Sequence, residues 1–390
     1  MSAALALLRS PGRSRLGTGW LSGVSGHIRA TPRSAHRWSS HLSLTPVPET
    51  QQKWFDTLRT SPRSIRSVTI DTHPDPYYTS NRTEDWGVEG GPTEAELTPD
   101  YFRALSSLSS FPNIIDITLR FTSDCVGVGN DSIFSDYFLL EPHDRRLSLL
   151  QSFFHSTAQL CRTQRHLPNH TPRLSTLTIR NLQNTPEEHV TLSPDFLETT
   201  QDLTALHLQI CTEWSPDHFL TLPDMVRFWP HLRARWLEPL APRLEALTLY
   251  CDAQWGLWPQ MDLRGLRFPR LRSLALGTYV FGLDEQVDWL LGHKTLEQLA
   301  LDSCGICVGW EFGPYDDPAE TAELGFAMER LAVRTDPEGV RGERGDQWSF
   351  GYGARWPGYF GRIERELPAL RRFQFGGAWD PWGDVGPFFL

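Results

Sequence analysis

The stretch Leu296-Glu297-Gln298-Leu299-Ala300-Leu301-Asp302-Ser303-Cys304-Gly305-Ile306 has leucine at its first, fourth and sixth positions. Successive residues of an extended chain point to opposite faces. Positions four and six therefore share a side and enter one core, while positions three, five and seven face away. The all-leucine triplet recurs at Leu203, Leu206, Leu208; at Leu244, Leu247, Leu249; and at Leu271, Leu274, Leu276. Four strict triplets in succession exceed the roughly one that chance supplies in so leucine-rich a chain. They predict four short strands, each with one apolar face.

With other apolar residues admitted, the pattern extends to Ile65, Val68, Ile70; Ile114, Ile117, Leu119; Leu174, Leu177, Ile179; Met328, Leu331, Val333; and Leu370, Phe373, Phe375. Proline two residues ahead of the first position supports the triplets that follow Pro112, Pro172, Pro242, Pro269 and Pro368. First positions are separated by 49, 60, 29, 41, 27, 25, 32 and 42 residues, so the tight steps have the length of one strand plus one return segment. Stacking such units pairs the strands in parallel and extends one core. The return segment Asp284 to Leu291 has helical apolar spacing, with Asp284 expected as N-cap and Gly292 as stop. Tyr359 to Leu367 has the same spacing before Pro368, and 310–325 and 336–358 are expected to be loops.

Cys211 and Cys304 stand three residues after the last apolar position of their triplets, which resembles leucine-rich repeats of the cysteine-containing kind. The carboxy-terminal half also resembles a group of filamentous-fungal proteins, many of which begin with an F-box. The residues that carry this resemblance are Trp236-Leu237-Glu238-Pro239-Leu240, Phe268-Pro269-Arg270-Leu271-Arg272-Ser273-Leu274 and Val287-Asp288-Trp289-Leu290. The resemblance implies an α/β fold: an irregular leucine-rich-repeat solenoid with a curved parallel sheet and helices and loops on its outer side. It also implies the substrate-receptor half of a ubiquitin ligase, docked on a cullin ligase adaptor. The Leu-Pro-x-Glu type opening of an F-box is not visible in residues 1–50, whose only acid is Glu49.

The chain carries 37 Lys+Arg against 47 Asp+Glu, a net charge of -10 that argues against a general nucleic-acid binder. Residues 1–48 hold six arginines and no acid, leaving 31 basic against 47 acidic residues, or -16, in 49–390. The expected division is therefore 1–48 as a basic flexible tail or targeting segment and 49–390 as the solenoid. Mitochondrial targeting segments share the tail's composition, but Pro11, Gly12, Gly17 and Gly19 interrupt any amphipathic helix there. No apolar run reaches the ~18 residues that spanning a bilayer needs, so no membrane association is expected. Six cysteines are too dilute for a disulfide scaffold and are read as reduced. The expected location is cytoplasmic or nuclear, with mitochondrial as the alternative.

No Gly-x-x-x-x-Gly-Lys-Ser/Thr, Gly-x-Ser-x-Gly or His-Glu-x-x-His motif occurs. Cys304-x-x-Cys307 lacks the second ligand pair that zinc requires, and repeat position accounts for Cys304 as a core residue. The 15 tryptophans and Asp316-Asp317 raise a carbohydrate-active enzyme with a Trp-lined cleft as an alternative. Against it, Trp255, Trp258, Trp289 and Trp310 lie within repeats, where large rings fill gaps. The favoured expectation is a non-catalytic protein–protein interaction module with an unidentified protein partner, no cofactor and no metal. Its expected concave face holds Thr176, Thr178, Arg180, Ala205, His207, Gln209, Ala246, Thr248, Tyr250, Gln298, Ala300, Asp302, Arg330, Arg334 and Arg372. From that set, Arg180, His207, Tyr250, Asp302, Arg330, Arg334 and Arg372 are the candidate contacts. Tyr250 is the expected anchor, and His207 is either a pH-sensitive contact or a solvated surface residue.

Overall fold

The structure, a computed structural model, describes residues 40–74, 97–123, 125, 141–168, 171–213, 223–307, 309–311 and 349–376. Its strands are β1 (His41–Leu44), β2 (Ser67–Asp71), β3 (Asp116–Arg120), β4 (Thr176–Gln183), β5 (Ala205–Cys211), β6 (Ala246–Trp255), β7 (Ser273–Phe281), β8 (Gln298–Asp302), β9 (Gly305–Ile306), β10 (Gly309–Glu311), β11 (Ser349–Gly351) and β12 (Arg372–Gly376). The helices are α1 (Pro48–Thr60), α2 (Pro99–Ser106), α3 (His143–Arg165), α4 (Glu188–Thr191), α5 (Pro194–Thr200), α6 (Pro223–His231), α7 (Asp284–Leu291) and α8 (Trp356–Glu366).

One ten-stranded sheet runs β1-β2-β3-β4-β5-β6-β7-β8-β12, with β9 also paired to β7, and every pairing in it is parallel. From β1 to β8 neighbours in space are successive in the chain, so each crossover there leaves one strand and returns to lie beside it; β12 beside β8 and β9 beside β7 depart from that order. The apolar triplets are in register. Leu42, Val68, Ile117, Leu177, Leu206, Leu247, Leu274, Leu299 and Phe373 form one row across the sheet. All but the last are 1% exposed or less. At roughly 1.5–3 kcal/mol for each fully buried aliphatic side chain, this row and its partner two residues on are a principal source of cohesion.

The residue after each triplet's first position sets the pairing. Ile115 N donates to Arg66 O, Ser175 N to Ile115 O, Thr204 N to Ser175 O, Glu245 N to Thr204 O, Arg272 N to Glu245 O and Glu297 N to Arg272 O, at 2.7–3.0 Å. This backbone chain is indifferent to the length of the return segment, so irregular spacing leaves the register intact. The helices cover the apolar face: Trp54, Tyr101, Phe153, Phe154, Phe196, Val287 and Ile363 belong to the same buried cluster as the strand leucines.

Some boundaries differ from the sequence expectation. Strand β1 lies within the segment expected to be tail, and it is there because Leu42 and Leu44 fill the core beside Val68 and Ile70; residues 1–39 lie outside the described residues. Helix α7 has the expected bounds, but its N-terminus is closed by Gln286, whose Oε1 accepts from Gly282 N at 2.7 Å and Leu283 N at 3.0 Å. Asp284 instead accepts from the Tyr352 hydroxyl at 2.7 Å. Helix α8 begins at Trp356, because Pro357 fits its first turn. The start of the first expected loop, 310–325, and the interior of the second, 336–358, meet as the antiparallel pair β10–β11, and α8 begins before the expected end of the second loop. The Met328, Leu331, Val333 triplet lies outside the described residues.

One recurrent feature was not anticipated. Asn181, Thr278 and Ser303, each at the eighth position of its repeat, adopt φ of 58°, 57° and 52°. The left-handed turn ends the regular pairing after the seventh position, and β4 shifts register between Ile179 and Leu182. Asn181 Nδ2 donates to Phe121 O at 2.8 Å and Thr278 Oγ1 to Cys251 O at 2.5 Å. These bonds offset the strain of a non-glycine residue in that region.

Candidate functional site

The face of the sheet opposite the helices carries positions three, five and seven in three parallel rows. The seventh-position residues form two runs, Asp71, Arg120, Arg180 across β2–β4 and Gln209, Tyr250, Gly277, Asp302 across β5–β8, separated by the register shift between β4 and β5. The second run holds two sequence-expected contacts, Tyr250 and Asp302, and the first holds Arg180. At ~4.8 Å between strands, β4 and β8 are about 19 Å apart across the sheet.

Tyr250 owes its position to a glycine. A Cβ added at Gly277 would lie 1.9 Å from Tyr250 Cδ2, so the ring rests over the Gly277 backbone in space that any side chain would occupy. The phenol leans from β6 across β7 towards β8. Burial, then the charges of Asp302 and Asp252, push its pKa up to about 12. Burial also raises the Asp302 carboxyl above the ordinary carboxylate range.

In the first run Arg120 Nε donates to Asp71 Oδ1 at 2.5 Å, with Asp71 3% exposed. Burial raises the Asp71 carboxyl, and the guanidinium groups of Arg120 and Arg180 oppose that rise. Asp71 and Arg120 were not among the expected contacts. The signal was available, since both take the seventh position of the Ile65 and Ile114 triplets.

His207 sits in the fifth-position row between Thr178 and Thr248. Its Nδ1 lies 2.8 Å from Thr248 Oγ1, and burial lowers its pKa. It is half-buried rather than freely solvated, and Thr248 and Ala300, expected on the open face, are buried at 6% and 8% exposure. Arg372 lies in the third-position row on β12 and is exposed. Arg330 and Arg334 lie outside the described residues, as does Asp316-Asp317.

Trp54, Trp229, Trp236, Trp255 and Trp289 pack inward. Trp255 stacks on Trp229 with centroids 4.4 Å apart and planes 4° apart, and its Nε1 donates to Gly277 O at 2.8 Å. Trp289 Nε1 donates to Leu266 O at 2.8 Å. The rings of Trp255 and Trp289 lie in the core, while Trp258 and Trp356 are half-buried against it. A cleft of about 770 Å³ opens beside β1 and α1, lined by residues that include His41, Lys53, Phe55, Asp56 and Arg103; none of its lining residues is a tryptophan. Cys304 packs against the core, its Sγ donates to Leu276 O at 3.3 Å, and burial pushes its thiol up to about 12. Among the described residues no group of three or more His, Cys, Asp or Glu is placed to hold a metal ion. No helix among them is long and apolar enough to cross a membrane.

An α/β architecture with a parallel sheet, one face covered and the other lined by polar side chains, is the class that fold and site define. The chain matches no protein-family model and no curated protein.

Proposed function

We propose that the protein is an irregular leucine-rich-repeat solenoid that holds a protein partner on the open face of its sheet and performs no catalysis. The observation that carries this reading is the set of seventh-position residues, in which a half-buried Tyr250, seated over Gly277, stands between the Arg120–Asp71 pair and Asp302. An aromatic ring with a polar tip, flanked by charges of both signs, is the composition of a protein-recognition patch. Strands in chain order, with triplets in register despite uneven spacing, support the repeat architecture. Action in the cytoplasm or nucleus, as the substrate receptor of a cullin ligase, is the specific form proposed.

The test is affinity purification of the full chain from its native cell beside a Tyr250→Ala variant with an unchanged melting temperature. Proteins retained by the wild type and lost from the variant support the reading, and a cullin with its adaptor among the retained proteins supports the ligase role. Identical recovery by both chains overturns the assignment of the face.

A further inference from the structure

Cys125, after β3, and Cys211, the last residue of β5, bring their Sγ atoms to 3.4 Å across 86 residues of chain. The two side chains are 0% and 1% exposed. Cys211 Sγ also faces Ser123 O at 2.7 Å, and Cys125 Sγ faces Thr212 O at 3.7 Å, so both sulfurs are held in place by backbone groups. A disulfide needs S–S of about 2.05 Å, so the two sulfurs must close by about 1.4 Å to bond. The repeat scheme assigns Cys211 a core position and gives no role to Cys125 opposite it.

We propose that Cys125 and Cys211 form an oxidative modification site at which hydrogen peroxide converts the dithiol to an intramolecular disulfide. The Cys125 sulfur attacks the peroxide O–O bond, becoming a sulfenic acid and releasing water. The Cys211 sulfur then attacks that sulfenic sulfur, the S–S bond forms, and a second water leaves. Two electrons pass from the two thiols to one peroxide. Cys211 is the resolving partner, because contact with Cys125 and burial hold its thiol well above the usual range and disfavour the thiolate needed for the first step. The disulfide ties the segment after β3 to the end of β5 across the end of β4. Closing so long a loop raises the melting temperature by about 5–10 °C.

The experiment exposes the native full chain to hydrogen peroxide, quenches, denatures and counts free thiols, with non-reducing tryptic mass spectrometry in parallel. The expected result is a fall from six thiols to four, reversal by dithiothreitol, and a cross-link between two separate peptides. Cys125 lies between Arg120 and Arg145, and Cys211 between Arg180 and Arg227. Cys304 and Cys307 share one peptide between Lys294 and Arg330, so a bond between them gives no inter-peptide link. Cys211→Ser should abolish the link and leave Cys125 as a trappable sulfenic acid. If that variant does not fold, the wild-type peptide map decides alone. Six surviving thiols, or oxidation confined to Cys304 and Cys307, overturn the proposal.

Discussion

Gly277→Ala isolates the contact on which the open face depends. The added methyl carbon would lie 1.9 Å from Tyr250 Cδ2, 2.8 Å from Cε2 and 2.9 Å from Cγ. All three are far inside the ordinary van der Waals separation of about 3.5–4.0 Å, so the ring must leave its place. Gly277 lies in a regular strand pairing between β6 and β8, where alanine adopts the backbone without strain. In isolation the substitution should therefore stabilise by about 0.4–1 kcal/mol through the unfolded chain. With Tyr250 present, overpacking should outweigh that gain and give a net loss of roughly 1–2 kcal/mol. In a Tyr250→Ala background the clash is gone, and the same change should be neutral or stabilising. A double-mutant cycle read from urea midpoints should thus return a coupling energy of about 1–3 kcal/mol, and the single Gly277→Ala variant should lose partner binding together with Tyr250→Ala. An equal cost of Gly277→Ala in both backgrounds would show that the ring does not rest there, and the proposed binding face would lose its centre.

Leu247→Ala, at 1% exposure between Leu206 and Leu274, should cost roughly 2–5 kcal/mol in urea denaturation. Tyr250→Ala, three residues on and facing the other way, should cost much less; equal losses would contradict the inward and outward assignment. Arg146, 4% exposed, lies 3.1 Å from Glu141 Oε2 and donates to Thr122 O at 2.6 Å and Asn181 O at 2.8 Å. Arg146→Met leaves Glu141 buried without its cation and should lower stability by about 3–5 kcal/mol, with partial recovery on adding Glu141→Gln. His293 Nε2 accepts from Phe268 N at 3.3 Å, and burial lowers its pKa. The unfolded chain then binds the proton more readily, so stability falls as pH drops below about 6.5. His293→Gln, which keeps an acceptor, should flatten the slope of stability between pH 7.5 and 5.5; an unchanged slope would refute the assignment.

What could be read from sequence and what could not divides along a physical line. A strand in this sheet must place two side chains in the core, two residues apart, and that requirement is local. Leu206 and Leu208 announce β5 whatever surrounds them. The same rule reached Thr178, His207 and Tyr250 on the opposite face, because alternation fixes both sides at once. Strand β1 escaped because it has only Leu42 and Leu44 in a segment whose composition resembles a tail, and its pairing energy comes from β2. Helix α3 escaped for a related reason. Its buried face includes Arg146, Ser156, Thr157 and Gln164 as well as Leu149, Leu150, Phe153 and Phe154, so polar residues blur the apolar stripe. Those polar groups are buried because distant backbone needs them. Gln164 Nε2 donates to Ile114 O at 2.7 Å, and its Oε1 accepts from Leu174 N at 2.9 Å, joining two repeats through one side chain. No window of the sequence contains both partners. The same holds for Tyr250 and Gly277, which stand 27 residues apart in the numbering: a glycine among strand residues reads as a weakness until the ring above it is known. Contacts within one repeat are therefore legible from composition and period, whereas contacts that join one repeat to the next require the register. The open face is made of the second kind, so the triplets locate its residues, while its shape depends on contacts between strands.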